Sequence, residues 1–308
     1  MNQHIRTIAI LGAGAVGSYL VMGLSDKYKE NLWVIADGER KDRLAKNGLN
    51  INDKVYSLHI KTPAEAHGVD LLFVCTKYTQ LRDSLPDIET ITDKHTMVVS
   101  LLNGVDSEEL IGQRIGMEHM ISSLIRIASH RIGNSIHFSL PKGYNGIYIG
   151  IPNQPACQDP RLAAIAEIFA DTPVTLHLSD DILLDMWDKF GLNVSRNLPQ
   201  AILGVGIGVY DDSIYADAIM RRMRHEVVLV ANAKGIPLTD EFKAAKWLPS
   251  QRYSTLQDLD AHRHTEIDMF SGALIRMGKE VGVECPYNEM TYNLIKALEE
   301  KNDGKFDY

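Results

Sequence analysis

Residues 187–197 read Trp-Asp-Lys-Phe-Gly-Leu-Asn-Val-Ser-Arg-Asn, and Lys189, Asn193 and Asn197 recur there at every fourth position. On an α-helix that spacing stacks three polar groups on one side, with modest rotational drift between them. A lysine can give a proton to a developing alkoxide, and two carboxamides beside it can orient a substrate or the lysine itself. A second polar run holds Ser254, suited to hydrogen-bonding a carboxylate, and Glu266, suited to tuning Lys189 or to accepting a bond from a substrate hydroxyl. If one helix spans both, Ser254 and Glu266 fall near one face. Together these are the groups that hydride transfer to a ketone requires. By pattern alone, an exposed polar stripe is the better reading of the same residues.

A stronger signal lies upstream. Leu11-Gly12-Ala13-Gly14-Ala15-Val16-Gly17 carries G-x-G-x-x-G spacing, follows an apolar run and opens a helical pattern. In that context Gly12 permits a tight turn, Gly14 lets backbone approach a pyrophosphate, and Gly17 allows close helix–strand packing. The helix start, through Ala13, Ala15 and Val16, supplies free N–H donors to the anion. Asp37 follows the second apolar run, about twenty residues past the last glycine, where an acidic residue grips the ribose hydroxyls of NAD. A 2′-phosphate beside that carboxylate meets like charge, so NAD is expected, with NADP the alternative because Arg40, Lys41 and Arg43 lie close by. Asp37 can equally be a helix N-cap. Thr76, Lys77 and Asn103 end two further apolar runs, where strand ends face the ligand crevice of a parallel sheet. Lys77 reads equally well as a solvated residue starting a helix.

These residues need elements to hold them. Residues 5–11, 31–36, 69–76 and 95–102 are short and rich in Ile, Val and Leu, and alternate with helical patterns. This predicts an α/β fold with a doubly wound, Rossmann-like parallel sheet. Residues 119–130, 134–140 and 146–151 read as strands extending that sheet, some antiparallel, followed by a helix over 160–170 and a strand over 173–178. From Asp180 the period is helical: 180–199, 211–235, 239–247, about 253–280 and 287–300, with breaks at Gly and Pro. The expected domains are therefore residues 1–179, binding the dinucleotide, and 180–308, an all-helical substrate and dimerisation domain.

The bulk numbers fit. The chain has 308 residues, is 45% hydrophobic and carries a formal charge of −8. That balance argues against a nucleic-acid or anionic-membrane partner, since either needs a basic footprint. No apolar run reaches the ~18 residues of a membrane span, and the N-terminus lacks the basic start of a signal peptide. Three cysteines without metal or CxxC spacing read as reduced thiols of a cytoplasmic protein. The eleven histidines show no ligand spacing, so no metal site is expected.

In combination, the G-x-G-x-x-G motif, Asn103-Gly104, the K-x3-N-x3-N stripe and Thr265-Glu266-Ile267-Asp268, with Gly282-Val283 and Pro286 downstream, resemble the ketopantoate reductase family. The motifs stand in the family's order over nearly the whole chain. The resemblance implies a Rossmann domain plus a helical domain, a small 2-oxo acid substrate, and frequent homodimers. It further implies that Lys189 is the general acid, that Glu266 assists at the substrate, and that Asn103, Asn193, Asn197 and Ser254 line the site. Three departures stand out. Asp37 falls where the family commonly has an NADP-phosphate arginine; Gln251-Arg252-Tyr253-Ser254-Thr255 replaces Asn-x-Ser-Ser-Met; and Phe270-Ser271-Gly272 replaces the usual Asn-Gly. They resemble the family's NAD-dependent D-2-hydroxyacid dehydrogenases, D-mandelate dehydrogenases among them, which take bulky or branched 2-oxo acids. The alternatives are an NADPH-dependent ketopantoate reductase, a β-hydroxyacid dehydrogenase of the 6-phosphogluconate type, whose lysine–asparagine spacing differs, and a non-catalytic NAD(H)-binding sensor.

Overall fold

The structure, a computed structural model, describes residues 4–139, 145–242, 248–306 and 308. It comprises two compact units, Met1–Leu183 and Leu184–Tyr308.

In the first unit the chain runs β1 (Ile8–Leu11), α1 (Ala15–Tyr28), β2 (Leu32–Ile35), α2 (Gly38–Asn47), β3 (Leu49–Ile51), β4 (Lys54–Tyr56), β5 (His59–Lys61), β6 (Leu71–Val74), α3 (Tyr78–Ile91) and β7 (Met97–Ser100). It continues through α4 (Ser107–Ile115), β8 (Met120–Arg126), β9 (Ala128–Ile132), β10 (Ser135–Ser139), β11 (Gly146–Gly150), α5 (Pro160–Phe169) and β12 (Leu176–Leu178). Eight strands form one sheet in the order β12-β11-β8-β7-β6-β1-β2-β5. β5 through β8 in that order are parallel, whereas β11 pairs antiparallel with β8. The sheet is buried on both faces, which is why its strands read as continuous apolar runs. Ile8 and Ile10 of β1 join Leu71 and Phe73 of β6 in one core, while Ala9, Leu11, Leu72 and Val74 belong to the other. Chain order reverses between β1 and β6, and that switch point lies beside the glycine-rich turn.

The strand expected over 134–140 does not extend the large sheet. Residues 119–130 are not one strand: β8 stays in the large sheet, while β9 pairs with β10 in a second sheet ordered β4-β3-β10-β9. The hairpin that seeds this second sheet went unpredicted. Its signal is Asn52-Asp53, both at positive φ (49° and 62°), between short alternating runs; two left-handed residues make the type I′ turn that matches strand twist.

From Ile182 onward the described chain is helical: α6 (Ile182–Leu192), a π-turn (Asn193–Asn197), α7 (Leu198–Leu203), α8 (Val209–Asp212), α9 (Ile214–Ala233), α10 (Ser254–Asp260), α11 (Ser271–Val281) and α12 (Pro286–Asn302). Ser213 caps α9 by accepting from the Ala216 N–H at 3.3 Å, and left-handed Gly204 and Gly282 end α7 and α11. The helix expected over 253–280 is two helices with an irregular turn between them. Of the one expected over 239–247, residues 239–242 are not helical and 243–247 lie outside the described residues. Among the described residues no helix is long and apolar enough to cross a membrane, and no group of three or more His, Cys, Asp or Glu could hold a metal ion.

Candidate active site

The turn after β1 owes its shape to close backbone contacts. Gly12 sits at φ +110°, and a Cβ there would lie 2.6 Å from the Cys75 carbonyl carbon and oxygen, just past the end of β6. A Cβ on Gly17 would stand 1.9 Å from the Gly12 carbonyl oxygen, so the helix start and the turn interlock only as glycines. Gly14 differs: a Cβ there meets nothing within 4 Å. Its missing side chain serves no internal packing and leaves open the approach to the first N–H groups of α1, beside Ala13, Ala15 and Val16. A pyrophosphate fits that cradle, bound by backbone donors at the helix start.

A cavity of about 250 Å³ opens past the ends of β1, β2 and β6, lined by Asp37, Arg40, Thr76, Gln80, Asp83 and Asp87 among others. Asp37 stands at the N-cap position of α2, yet its side chain makes no cap hydrogen bond. Its exposed carboxylate is therefore not committed to the helix. Asp87, reaching in from α3, is pushed above the usual carboxylate range by burial and then by the Asp37 charge. The Thr76 hydroxyl is buried with no hydrogen-bond partner among the described residues, a polar atom awaiting one. An adenosine ribose suits this lining, with Asp37 and Thr76 offering polar contacts to its hydroxyls. Lys77, the exposed N-cap residue of α3, also makes no side-chain cap bond.

Asn103 lies half-buried on the turn after β7, where Gly104 takes φ +92°. Close by in sequence is a buried polar group that the sequence did not mark. The Ser107 hydroxyl donates to Glu108 Oε2 at 2.9 Å and lies 2.8 Å from the Ser100 hydroxyl, while the Ser123 N–H donates to Glu108 Oε1 at 3.3 Å. Burial pushes the Glu108 carboxyl up to about 7, against the hydrogen bonds it accepts. In the sequence, a glutamate in a first helical turn reads as an ordinary dipole-matching charge, so nothing announced its burial.

In the second unit, the three-residue stripe is set by an irregularity. Along an α-helix Asn193 leads Lys189 by ~40° and Asn197 by ~80°. Here residues 193–197 form a π-turn, which winds less per residue and so swings Asn197 back toward the line of Lys189. The cause is Pro199, at the start of α7. Proline has no N–H to give the Ser195 carbonyl four residues back, and its ring crowds that oxygen. Ser195 compounds the opening by turning its hydroxyl to the Gly191 carbonyl at 2.7 Å. Lys189 itself is half-buried on α6. Beside it, fully buried Arg224 donates to Asp188 Oδ1 at 3.1 Å and to the Asp188 carbonyl at 3.3 Å. Burial pulls the Arg224 pKa below its ordinary value, with Asp188 opposing. Gly191 makes room, since a Cβ there would stand 2.1 Å from the Arg224 guanidinium. The helix that carries Lys189 is thus anchored from behind.

Asn197 is buried, and its Nδ2 donates to the Ser254 hydroxyl at 3.3 Å while its Oδ1 accepts from the Thr255 N–H at 3.2 Å. Gln200, unrecognised in the sequence, binds the same segment at the Tyr253 N–H (2.8 Å) and the Gln251 carbonyl (2.8 Å). Asn197 and Ser254 are therefore brought together directly. Glu266 is not on the helix of Ser254: α10 ends at Asp260, and Glu266 lies half-buried in the turn before α11. The expected shared helical face does not exist, because Asp260-Ala261-His262 ends the helix and His262 takes φ +52°.

Comparisons with known proteins find relatives over nearly the whole chain. The family model described as "Ketopantoate reductase PanE/ApbA" matches residues 8–154, and its C-terminal counterpart matches residues 181–299. A 2-dehydropantoate 2-reductase of Streptococcus pyogenes serotype M3 is 26% identical over 307 residues, covering 95% of this chain and 97% of the relative. Among solved structures, a D-mandelate dehydrogenase with NADH and anilino(oxo)acetate superposes with a TM-score of 0.82 at 26% identity, covering 96% of this chain and 99% of that one. A PanE/ApbA family ketopantoate reductase from Ralstonia eutropha JMP134 gives 0.79 at 25% identity, with the same coverage.

Proposed function

Because the chain belongs to the ketopantoate reductase family, we propose that it is an NADH-dependent oxidoreductase reducing a branched or bulky 2-oxo acid to its D-2-hydroxy acid. The observation that carries the cofactor choice is Asp37: a carboxylate at the end of β2 that does not cap its helix and faces a cavity shared with Asp83 and Asp87. A 2′-phosphate placed there would meet several negative charges. Arg40 lines the same cavity and is what favours the NADPH-dependent ketopantoate reductase as the second reading. The NADH-bound D-mandelate dehydrogenase supports the first.

When bound, the reduced nicotinamide supplies hydride. The chain's own groups do the rest. Lys189 gives a proton to the oxygen on C2; Asn103 and Asn193 orient the acid; Ser254, fixed by Asn197, hydrogen-bonds its carboxylate; Glu266 accepts from the hydroxyl that forms. Backbone at Gly12 to Gly17 holds the pyrophosphate, with Thr76 and Lys77 at its flank. The protein is proposed to be a homodimer through its helical unit, where Tyr287, Met290 and Leu294 leave an apolar stripe exposed on α12.

The test is oxidation of NADH and NADPH, followed by absorbance, with ketopantoate, 2-oxoisovalerate and benzoylformate. At least one acid should turn over, with NADH efficiency at least ~10-fold above NADPH. A clear NADPH preference would overturn the reading of Asp37. No oxidation with any acid would favour a non-catalytic NAD(H)-binding protein.

A further inference from the structure

Glu266 sits on irregular backbone, where a side chain has no helix to aim it. Its neighbours on both sides are gripped by one stripe of α12. On the N-terminal side, Thr265 gives both its N–H (2.7 Å) and its hydroxyl (2.6 Å) to Glu299 Oε1. The same hydroxyl accepts from the Ile267 N–H at 3.2 Å, so a single Thr side chain spans Glu266. Glu299 is 2% exposed and Thr265 3%, and buried hydrogen bonds to a carboxylate are among the strong ones. The other oxygen of Glu299 takes Lys296 Nζ at 2.8 Å and lies 3.6 Å from His264 Nδ1. On the C-terminal side, Asp268 accepts from the Tyr292 hydroxyl at 2.7 Å and lies 3.7 Å from Lys296 Nζ. His264 Nε2 is 3.0 Å from Asp303. Positions 292, 296, 299 and 303 are spaced four, three and four apart, one face of the helix, and all of them engage residues 264–268.

The peptide of Glu266 is fixed as well, since its carbonyl accepts from Met269 N–H at 3.0 Å and Phe270 N–H at 3.2 Å. A carboxylate needed only for solubility or capping has no use for a buried bond pair on one side and a part-buried bond on the other.

We propose that α12 is a positioning clamp for Glu266, acting through Glu299 on Thr265 and through Tyr292 and Lys296 on Asp268. The proposal rests on the reading of Glu266 as a substrate contact. Thr265, Glu299 and Tyr292 touch no reacting atom in this scheme; they set where the Glu266 carboxylate stands when the acid arrives. A displacement of about 1 Å at such a group is enough to slow turnover roughly 100-fold.

A double-mutant cycle on the full chain tests it, with kcat and KM for the 2-oxo acid, NADH affinity by fluorescence and Tm measured for each variant. Thr265→Val keeps the shape and removes the hydroxyl; it should lower kcat by roughly 10- to 100-fold while leaving NADH affinity unchanged. Thr265→Ser keeps the hydroxyl and should restore kcat to within about 2-fold of wild type. In a Glu266→Ala background Thr265→Val should change kcat by less than about 2-fold, because coupled residues do not add. Wild-type turnover in Glu266→Ala alone would overturn the substrate reading of Glu266, and the clamp with it. Slow Glu266→Ala with wild-type Thr265→Val would overturn the clamp alone. So would an equal loss from Thr265→Val in both backgrounds, the mark of a merely structural residue. Should Thr265→Val fail to fold, Tyr292→Phe runs the same cycle with an expected loss of about 3-fold, and parity with wild type counts against the clamp.

Discussion

The glycine turn of the first unit and the lysine–asparagine stripe of the second reach a defined site by opposite means. In the turn, backbone does the work: Gly12 and Gly17 are required by contacts of 2.6 and 1.9 Å, and the donors are main-chain N–H groups. In the stripe, side chains do the work, and a break in regular structure aims them: Pro199 opens a π-turn that realigns Asn197 with Lys189. A backbone site tolerates no Cβ but is indifferent to most neighbouring side chains. A side-chain site tolerates many backbones but needs remote anchors such as Arg224, Gln200 and Glu299. The two should therefore fail differently.

The largest expected failure is chemical. Lys189→Ala should lower kcat at least ~100-fold, within the range of general-acid contributions, with NADH affinity and Tm held near wild type, because the anchor Arg224–Asp188 is untouched. Turnover close to wild type would remove Lys189 as proton donor. The next pair separates fold from function inside the turn. Gly12→Ala forces a side chain into the left-handed region, at a cost of about 1–2 kcal/mol, and against the Cys75 carbonyl; Tm should fall sharply and NADH binding with it. Gly14→Ala faces open space at φ −82°, so Tm should stay put while NADH affinity drops roughly 10-fold through lost anion approach. If Gly14→Ala binds NADH normally, the pyrophosphate does not lie there.

This asymmetry also explains what could be read in advance. Helix α1 over Ala15–Tyr28 opens at the glycine motif as the sequence predicts, because Gly14 and Lys29 bound it and a buried face fills it. The four apolar runs of the parallel sheet were legible because both faces are covered. Gly12, Gly14 and Gly17 carry their role in residue type alone. Lys189, Asn193 and Asn197 carried only a period, and the period was that of a helix the chain does not quite adopt. Pro199 was the available clue to the π-turn. The break between Ser254 and Glu266 had weaker signals, since residues 251–268 keep a helical texture while His262 turns the backbone. Glu299 and Gln200 were invisible: each is an ordinary polar residue on an amphipathic helix until a distant segment arrives to use it.

The cavity beside β2 offers a sharper version of the contrast, because in the proposed reading a side chain, Asp37, selects among ligands bound mainly by backbone. Asp37→Asn should raise NADPH efficiency relative to NADH by roughly 10-fold, about one pKa unit's worth of interaction, while Gly14→Ala should weaken both cofactors equally. An unchanged ratio in Asp37→Asn would assign selectivity to Arg40 or the α3 carboxylates instead.

The smallest effect expected is on stability, and its sign follows from Asp87. Its pKa in the folded chain is raised, by burial first and by Asp37 second. A raised carboxyl favours the folded state while protonated, below its unfolded value, and that contribution is lost as pH rises through the folded value. The Asp37 charge therefore costs the fold stability through its repulsion of Asp87 once Asp87 has lost its proton. Asp37→Asn removes that part and leaves the burial part in place. Because the pair is partly solvated the gain should stay below about 1 kcal/mol, a Tm rise of no more than about 2–4 °C in a chain of this size. The rise should shrink as the pH is lowered and Asp87 takes up its proton. Thermal unfolding of wild type and Asp37→Asn from pH 7 into acid checks it: a Tm decrease at pH 7 would show that Asp37 serves the fold rather than the ligand, and a gain that persists undiminished in acid would remove repulsion of Asp87 as its source. A gain that fades on acidification is what a residue kept for binding leaves behind, local repulsion that the fold tolerates.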